Sequence, residues 1–469
     1  MSDMQHYDIL VLGSGEAGKY LAWAMAKAGR RAAVIERKWI GGSCPNMACL
    51  PSKNVIYSAH VAALFRRGAE FGITPGTIRV DMDSVRGRKR QMVDELVAIH
   101  RKNYAASGAE LIMGEGRFVA LKTIEVRAQD GSTRVLTGDR VYLNVGTRAA
   151  IPDVPGLVQA MPLTHVEALE LDYLPDHLIV LGGGYVGLEF AQPMRRFGSR
   201  VTIVEQGPQI AGREDNDVAQ ALLQRFEDEG STVLLNARVL EVEGQSGKQI
   251  RLQVETPTGT QAIEASDILV AAGRTPNTQD IGLDTVGIEV DARGYIKVNE
   301  RLETTAPDVW ALGDCAGSPQ FTHVSFDDFR VVRDNLNGGH RTTRNRLVPY
   351  CMFTDPEVGR VGLNETEARR AGIAYRVARI PLAAVLRTRT LSETYGFLKA
   401  LIAADSDQVI GFTAVGTGAS ELIAVVQVAM SASMPYTALR DTILTHPTMA
   451  EGLTVLFANE PTLPAQERE

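Results

Sequence analysis

A chain of 469 residues is too long for one hydrophobic core, and at ~100–200 residues per domain about three domains are expected. With 45% hydrophobic residues, and 44 glycines against 20 prolines, it reads as a folded globular protein, which excludes collagen-like, mucin-like and tail-dominated chains. Lys plus Arg number 49 against 56 Asp plus Glu, a net charge of −7, so no basic reserve exists for a phosphate backbone and nucleic acid is not an expected partner.

From Met1 to Tyr7 there is no charged segment leading into an apolar stretch, so no signal peptide is expected and a cytoplasmic location follows. No run reaches the roughly 18 apolar residues that span a bilayer, so no membrane partner is expected. Asp8–Leu12 is a short apolar run, Gly13-Ser14-Gly15-Glu16-Ala17-Gly18 opens a helical pattern through Lys27, and Arg31–Glu36 is a second run ending in an acid. This order of strand, glycine turn, helix and strand suits a dinucleotide. Gly13 permits the tight turn, Gly15 lets the backbone approach a pyrophosphate, Gly18 lets helix and strand pack closely, and Glu36 can accept from a ribose.

Next comes Gly41-Gly42-Ser43-Cys44-Pro45-Asn46-Met47-Ala48-Cys49-Leu50-Pro51-Ser52-Lys53. Four cysteines cannot form a disulfide framework, and Cys44 and Cys49 are the only close pair. A zinc site needs two further ligands, and no second close Cys or His pair exists. Two buried structural thiols are the plain alternative. A C-x4-C pair on a helical turn can instead close a disulfide, and Lys53 one turn on, together with a helix N-terminus, favours thiolate. A redox-active disulfide is the best reading.

Ser84–Ser107 has a helical pattern, and strand-like runs follow around Leu111–Val119, Thr123–Ala128 and Arg134–Tyr142 as an antiparallel insertion. Asn144-Val145-Gly146-Thr147 precedes Ile151-Pro152-Asp153-Val154-Pro155-Gly156, where proline and glycine suggest a hinge. The glycine device then returns 169 residues after its first copy: His177–Leu181, Gly182-Gly183-Gly184-Tyr185-Val186-Gly187, a helix, and Arg200–Glu205. In both copies the acid lies 23 residues after the first glycine. One such fingerprint can be a mere tight turn; two with identical spacing indicate two dinucleotides. Strand signals at Thr232–Leu235, Val239–Glu243, Ile250–Glu255 and Ile268–Ala272 lead to Gly273-Arg274-Thr275-Pro276-Asn277 and then Trp310-Ala311-Leu312-Gly313-Asp314. From about Leu347 strands (Gly396–Ala403, Gly411–Val415) alternate with an apolar helix, Ser420–Ser431.

With Phe353-Thr354-Asp355-Pro356-Glu357 and His446-Pro447-Thr448-Met449-Ala450-Glu451, these ordered motifs span the chain. The chain resembles the flavin-dependent pyridine nucleotide-disulfide oxidoreductases, the group of dihydrolipoamide dehydrogenase, glutathione reductase and mercuric reductase. The resemblance implies an α/β fold of two Rossmann-like dinucleotide-binding domains, for FAD and NAD(P), plus a C-terminal α+β dimerisation domain. Its divisions are 1–150 (FAD, first part), 151–276 (NAD(P)), 277–346 (FAD/central, second part) and 347–469 (interface). It also implies a homodimer with each active site shared between subunits.

Carried onto this sequence, the resemblance puts FAD on Gly13, Gly15, Gly18, Glu36, Gly42, Ser43, Gly116, Gly146 and Asp314, with Thr322 and His323 in the flavin region. Lys53 lies near the flavin and pairs with Glu189. The nicotinamide nucleotide takes Gly182, Gly184, Gly187, Glu205 and the Gly273–Arg274 turn, with Tyr185 as a lid. Hydride passes from NAD(P)H to FAD and then electrons to the disulfide, Cys49 facing the flavin and Cys44 exchanging with a small-molecule disulfide or oxidant. A lone histidine is more often structural, yet Glu451 can hold one ring nitrogen of His446 so that the other acts on a thiol, which makes His446 the expected acid/base from the partner subunit. Cys315 and Cys351 are expected to be inert thiols. Glu205 accepts from a ribose hydroxyl and repels a 2′-phosphate, with only Arg213 nearby to offset it, so NADH is favoured over NADPH.

The chain also departs from its relatives. No cysteine follows Cys351, whereas mercuric reductases carry a C-terminal cysteine pair, which disfavours mercury as substrate. Pro45 and Ala48 replace an aliphatic residue and a glycine, and Asn144-Val145-Gly146-Thr147 replaces the common Ala-Thr-Gly-Ser. The run Gly184-Tyr185-Val186-Gly187-Leu188-Glu189-Phe190 looks most like mercuric-reductase-like enzymes linked to hypothiocyanous acid or other oxidants. No glutathione-binding set is evident. Two further readings remain at this level: a dihydrolipoamide dehydrogenase of a multienzyme complex, and a non-catalytic redox sensor, against which His446 and Glu451 argue.

Overall fold

A computed structural model describes residues 4–74 and 76–464. The first three residues of the N-terminal segment and the last five of the C-terminal tail considered above lie outside them. The chain divides into two compact units, one made of the residues up to Asn54, Asp83–Ala150 and Gly273–Arg346, the other of Val55–Met82, Ile151–Ala272 and the residues from Leu347.

In the first unit the strands Gln5–Leu12 and Ala32–Glu36 are parallel, pairing Ile9 with Ala32 and Leu12 with Ile35. All five residues of Ala32–Glu36 are buried, as a parallel strand covered on both faces requires. The sheet runs Glu110–Met113, Ala32–Glu36, Gln5–Leu12, Thr133–Leu143, Thr123–Arg127, Glu115–Ala120, with Val309–Ala311 parallel to the end of Thr133–Leu143. The apolar run expected as one strand at Leu111–Val119 is therefore two. Glu110–Met113 extends the parallel layer beside Ala32–Glu36, while Glu115–Ala120 pairs antiparallel with Thr123–Arg127. Gly114 marks the division, since a Cβ there would lie 2.7 Å from the Arg127 carbonyl oxygen. Gly114-Glu115-Gly116-Arg117 interrupts the apolar residues, but periodicity alone does not assign the two halves to different partner strands. Helix Glu16–Lys27 packs on helix Thr322–Leu336 through Tyr20, edge-on to Phe326 with ring centroids 4.8 Å apart.

The second unit holds a parallel sheet in the order Thr232–Leu234, Arg200–Val204, His177–Leu181, Asp267–Val270. It also holds an antiparallel sheet of Arg238–Gln245, Gln249–Thr256 and Gly259–Ala265, the last strand having given no sequence signal. A third, five-stranded sheet runs Tyr350–Met352, Val358–Gly362, Val409–Val415, Phe397–Ala403, Tyr375–Pro381 and is backed by helices Ala419–Ser431 and Gly452–Ala458. Arg274–Pro276 pairs with Thr147–Ala149 and belongs to the first unit. Among the described residues no helix is long and apolar enough to cross a membrane.

One buried charge stands out in the second unit. Lys399, 1% exposed on strand Phe397–Ala403, donates to Asp215 (3.0 Å), Asp217 (2.9 Å) and Glu365 (2.9 Å). Burial alone would raise the Asp215 carboxyl, but Lys399 and the backbone N–H groups of Thr366 and Glu365 outweigh it and hold the group below the usual carboxylate range. Lys399→Met leaves the buried Asp215 without its lysine partner, while Glu365 keeps Arg369 (3.3 Å) and Asp217 keeps Arg379 (3.7 Å), and is expected to cost about 3–5 kcal/mol, measured by urea unfolding of the flavin-loaded protein. Because the folded-state value of Asp215 is depressed, its contribution is present above its ordinary value near ~3.9 and is lost as pH falls through the folded-state value. The variant, lacking that contribution, is expected to begin acid unfolding at higher pH.

Candidate active site

The first glycine turn is built by close approach. A Cβ on Gly18 would lie 2.5 Å from the Gly13 carbonyl oxygen, and one on Gly15 would lie 2.4 Å from Asn144 Oδ1. Gly42, at φ 80°, passes over the same turn, where its Cβ would lie 2.6 Å from the Gly15 Cα. Asn144 fastens the turn from the neighbouring strand end: its Oδ1 accepts from Gly18 N (3.0 Å) and its Nδ2 donates to the Leu312 carbonyl (2.8 Å). Motif reading missed this role, although the departure from Ala-Thr-Gly-Ser at Asn144 was its signal. Glu36 Oε2 accepts from Ser14 N (2.9 Å) and Ser14 Oγ (2.7 Å), and its Oε1 accepts from Lys38 N (2.8 Å) and Trp39 N (3.0 Å). Four donors are thus in place, and a ribose hydroxyl would share or displace one of them.

The N-cap glycines of both turn helices, Gly15 and Gly184, carry no side-chain cap, which leaves N-terminal backbone donors for an anion. Space beside Gly184 is open, whereas a Cβ on Gly187 would lie 2.0 Å from the Gly182 carbonyl oxygen. These features fit two dinucleotides. Glu205 accepts from Gly183 N (2.6 Å) and Gly207 N (2.7 Å), one donor per oxygen, so each oxygen retains acceptor capacity. Tyr185 donates to the buried carboxylate of Glu214, which also accepts from Tyr350 Oη (2.9 Å) and pairs with Arg360 (3.2 Å). The Tyr185 ring lies 5.7 Å from that of Tyr350. Tyr185, the expected lid, is therefore fastened by a set of residues that carry no motif of their own.

Cys44 lies on helix Ser43–Met47 and Cys49 opens helix Cys49–Arg66. Ala48 between them, at φ −134° and ψ −106°, breaks the helix where the family resemblance expects a glycine. Asn46 fixes the turn, its Nδ2 donating to the carbonyls of Ile40 (2.9 Å) and Gly42 (2.7 Å). The two cysteines stand as thiols rather than as a disulfide. Cys44 hydrogen-bonds to Cys49, and this bond, with burial and the Cys49 charge, pushes the Cys44 thiol far above its ordinary value. Thr322 brings its hydroxyl to Cys49 Sγ (3.3 Å) and also bonds to Cys44. Thr322, expected in the flavin region, is thus also a partner of the sulfurs. His323 stacks on Phe321 at 5.3 Å, and Lys53 follows Cys49 by one helical turn.

Asp314 accepts from Thr147 Oγ1 (2.7 Å) and lies 3.7 Å from Arg274, whose Nε donates to Thr147 Oγ1 (2.7 Å). Gly273 and Arg274, expected beside the nicotinamide nucleotide, thus stand in the first unit with Asp314. Gly146 has open space beside it, while Gly116 packs against Leu12. Glu189, on helix Tyr185–Phe197, accepts from Phe353 N (2.9 Å). In the second unit His446 Nδ1 meets both carboxylate oxygens of Glu451, at 2.9 and 3.0 Å, which leaves Nε2 for a proton acceptor or donor role. The His446 side chain is 60% exposed. Cys315 is fully buried and its thiol is pushed up to about 12 by that burial; Cys351 donates to its neighbour's carbonyl, Met352 O, at 3.4 Å. Among the described residues no group of three or more His, Cys, Asp or Glu could hold a metal ion.

Paired thiols beside a nucleotide turn, with a second nucleotide turn and an imidazole–carboxylate pair on the same chain, define a flavin-linked disulfide oxidoreductase. Residues 7–328 match the family model for pyridine nucleotide-disulphide oxidoreductase and residues 348–456 the model for its dimerisation domain; the chain belongs to this family. It is 36% identical to the probable pyridine nucleotide-disulfide oxidoreductase RclA of Escherichia coli (strain K12), over 97% of this chain and 99% of that protein. It is 32% identical to the mercuric reductase of Streptomyces lividans, over 95% and 94%. The solved Cu(II) complex of the HOCl-induced flavoprotein disulfide reductase RclA from E. coli superposes with a TM-score of 0.88 at 34% identity, covering 97% and 99% of the two chains. The protein is an FAD-dependent, pyridine nucleotide-linked disulfide oxidoreductase that carries the homodimer-forming domain of its family.

Proposed function

We propose that the protein is an NADH-dependent reductase of a small disulfide or thiol-reactive oxidant, working through Cys44 and Cys49 in the cytoplasm. The observation that carries this is the hydrogen-bonded set of Cys44, Cys49 and Thr322. On this reading 1–150 and 277–346 hold FAD, 151–276 holds NADH and 347–469 forms the two-fold interface. Gly13, Gly15, Gly18, Glu36, Gly42, Ser43, Gly116, Gly146, Asp314 and His323 bind FAD, and Lys53 pairs with Glu189. Gly182, Gly184, Gly187 and Glu205 bind NADH. A bound flavin supplies transfer of an electron pair from the nicotinamide to the disulfide.

The remaining chemistry belongs to the chain's own groups. Because Cys44 holds its proton tightly, a base is needed to make it the attacking thiolate. His446 of the second subunit, oriented by Glu451, takes that proton. The Cys44 thiolate then attacks one sulfur of a substrate disulfide, and the other sulfur departs and receives the proton from His446. Cys49 attacks the mixed disulfide, closes the Cys44–Cys49 bond and releases the second substrate thiol. Thr322, bonded to both sulfurs, holds them in reach of each other.

Steady-state assays with NADH against hypothiocyanite, oxidised glutathione, lipoamide and Hg(II) test the proposal. Turnover of a small oxidant or disulfide is expected; turnover of lipoamide alone would move the chain to the lipoamide dehydrogenases. For cofactor choice, kcat/KM is expected to favour NADH over NADPH by about tenfold, as the loss of one charged contact implies, and Glu205→Ala is expected to narrow that ratio. An unchanged ratio in the variant would remove Glu205 from cofactor selection.

A further inference from the structure

At the far end of helix Tyr185–Phe197 from the glycine turn, the second unit has a solvent-open cavity of about 320 Å³. Twelve residues at about 1.5 Å rise separate the two ends by roughly 18 Å, so the cavity is distinct from the nucleotide turn. His60, Arg66, Arg195, Arg196, Arg225 and Asp355 line it. Their charges are unequally matched. Arg196 pairs with Glu229 at 2.5 Å and with Asp355 at 2.9 Å. Among the described residues Arg66 donates to the carbonyl of Arg196 alone, and Arg195 to those of Glu229 (2.7 Å) and Ser199 (3.2 Å) alone. Arg225 lies over the Tyr395 ring at 5.0 Å, and its Nε is buried with no hydrogen-bond partner.

Arg66, Arg195 and Arg225 therefore line one cavity with no carboxylate ion-paired to them among the described residues, the two carboxylates that share the lining, Glu229 and Asp355, being paired with Arg196. Carbonyl dipoles offset part of a cation's charge; they do not neutralise it. The field is felt by Asp355: burial would raise its carboxyl, but His60 at 3.6 Å and the charges of Arg196 and Arg225 hold it well below the usual carboxylate range. A guanidinium fork matches the oxygen spacing of carboxylate and phosphate, and one buried unpaired donor costs free energy until an acceptor meets it. Three guanidinium groups on one cavity favour an acceptor with more than two oxygens and more than one negative charge. The cavity has room for about ten waters at roughly 30 Å³ each, ample for such a group.

We propose that this cavity binds a phosphate dianion, free or as the terminal monoester of a small metabolite. The test uses FAD-loaded protein saturated with NAD⁺, so that both nucleotide turns are filled, at ionic strength held constant with chloride. Inorganic phosphate and glycerol 2-phosphate are titrated by calorimetry. One saturable site per chain is expected, weakened about tenfold or more in Arg66→Gln and in Arg225→Gln, less in Arg225→Lys, and unchanged in Arg440→Gln, a surface control. Tighter binding of the monoester assigns the site to a carried phosphate, and tighter binding of inorganic phosphate to the free ion. Arg66 is exposed, so its variant keeps the test decisive should Arg225→Gln fail to fold. Absence of saturable phosphate binding in the wild type, or wild-type binding by the folded Arg66→Gln protein, would overturn the proposal.

Discussion

Cys44→Ser and Cys49→Ser are each expected to lower NADH-dependent disulfide turnover by at least about a thousandfold, the scale on which removal of an attacking nucleophile is felt. The reasoning rests on the pair acting as one unit. Cys44 is hydrogen-bonded to Cys49, and Thr322 to both, so each sulfur acts with the other. A serine hydroxyl preserves the size of the site and much of its hydrogen bonding, so loss of activity cannot be laid to collapse of the two short helices. Thiol counting separates chemistry from folding. After anaerobic reduction by NADH and quenching in denaturant, the wild-type protein should show two more reactive thiols than the oxidised protein, and either serine variant none. NADH oxidation by a dye that needs no thiol should persist in both variants. Equal thiol counts before and after reduction of the wild type would end the disulfide mechanism.

His446→Ala is expected to lower kcat for disulfide turnover about 100-fold or more, within the range that positioned proton transfer supplies. Glu451→Gln is expected to cost about tenfold, because a carboxamide still accepts a hydrogen bond from Nδ1 but no longer offers a charge to a protonated ring. A merely structural role for His446 would show as a lowered melting temperature with an unchanged pH profile. The proposed role instead removes one limb of the pH dependence of kcat/KM. Sharing of the site between subunits has its own test. A hybrid dimer of one Cys44→Ser chain and one His446→Ala chain has one intact site if the imidazole comes from the partner, and none if both groups act within a chain. About half of wild-type activity per dimer is therefore expected from the hybrid, and none from either parent. An inactive hybrid would return His446 to its own chain.

The parts of this protein legible in its sequence are those set by local sterics and chemistry. Glycine is read at Gly13 and Gly182 because the backbone there turns at φ 95° and 107°, where other residues are strained. It is read at Gly18 and Gly187 because a Cβ would strike the carbonyl of the first glycine of each turn. The spacing of those glycines, and the apolar runs before them, is a property of a few consecutive residues. Strands such as Phe397–Ala403 and helices such as Ala419–Ser431 follow from hydrophobic pattern in the same way. Pattern fails where a boundary depends on pairing. The division of Leu111–Val119 at Gly114 is set by two different partner strands, and Gly259–Ala265 is exposed enough to lack an apolar rhythm.

The site divides along the same line. By itself the sequence determined that two nucleotide turns and one close pair of cysteines share the chain, because each is a short-range arrangement with few chemical uses. Only the tertiary structure decided what surrounds them. Asn144 reaches Gly18 across 126 positions, Thr322 reaches Cys49 across 273, and Glu214 gathers Tyr185, Tyr350 and Arg360 from three separate segments. The arginines of the cavity in the second unit likewise come from three stretches of chain and look, in sequence, like ordinary surface charges. Contacts of this length arise when sheets and helices bury their apolar faces and carry polar side chains together, and no window of consecutive residues contains both partners.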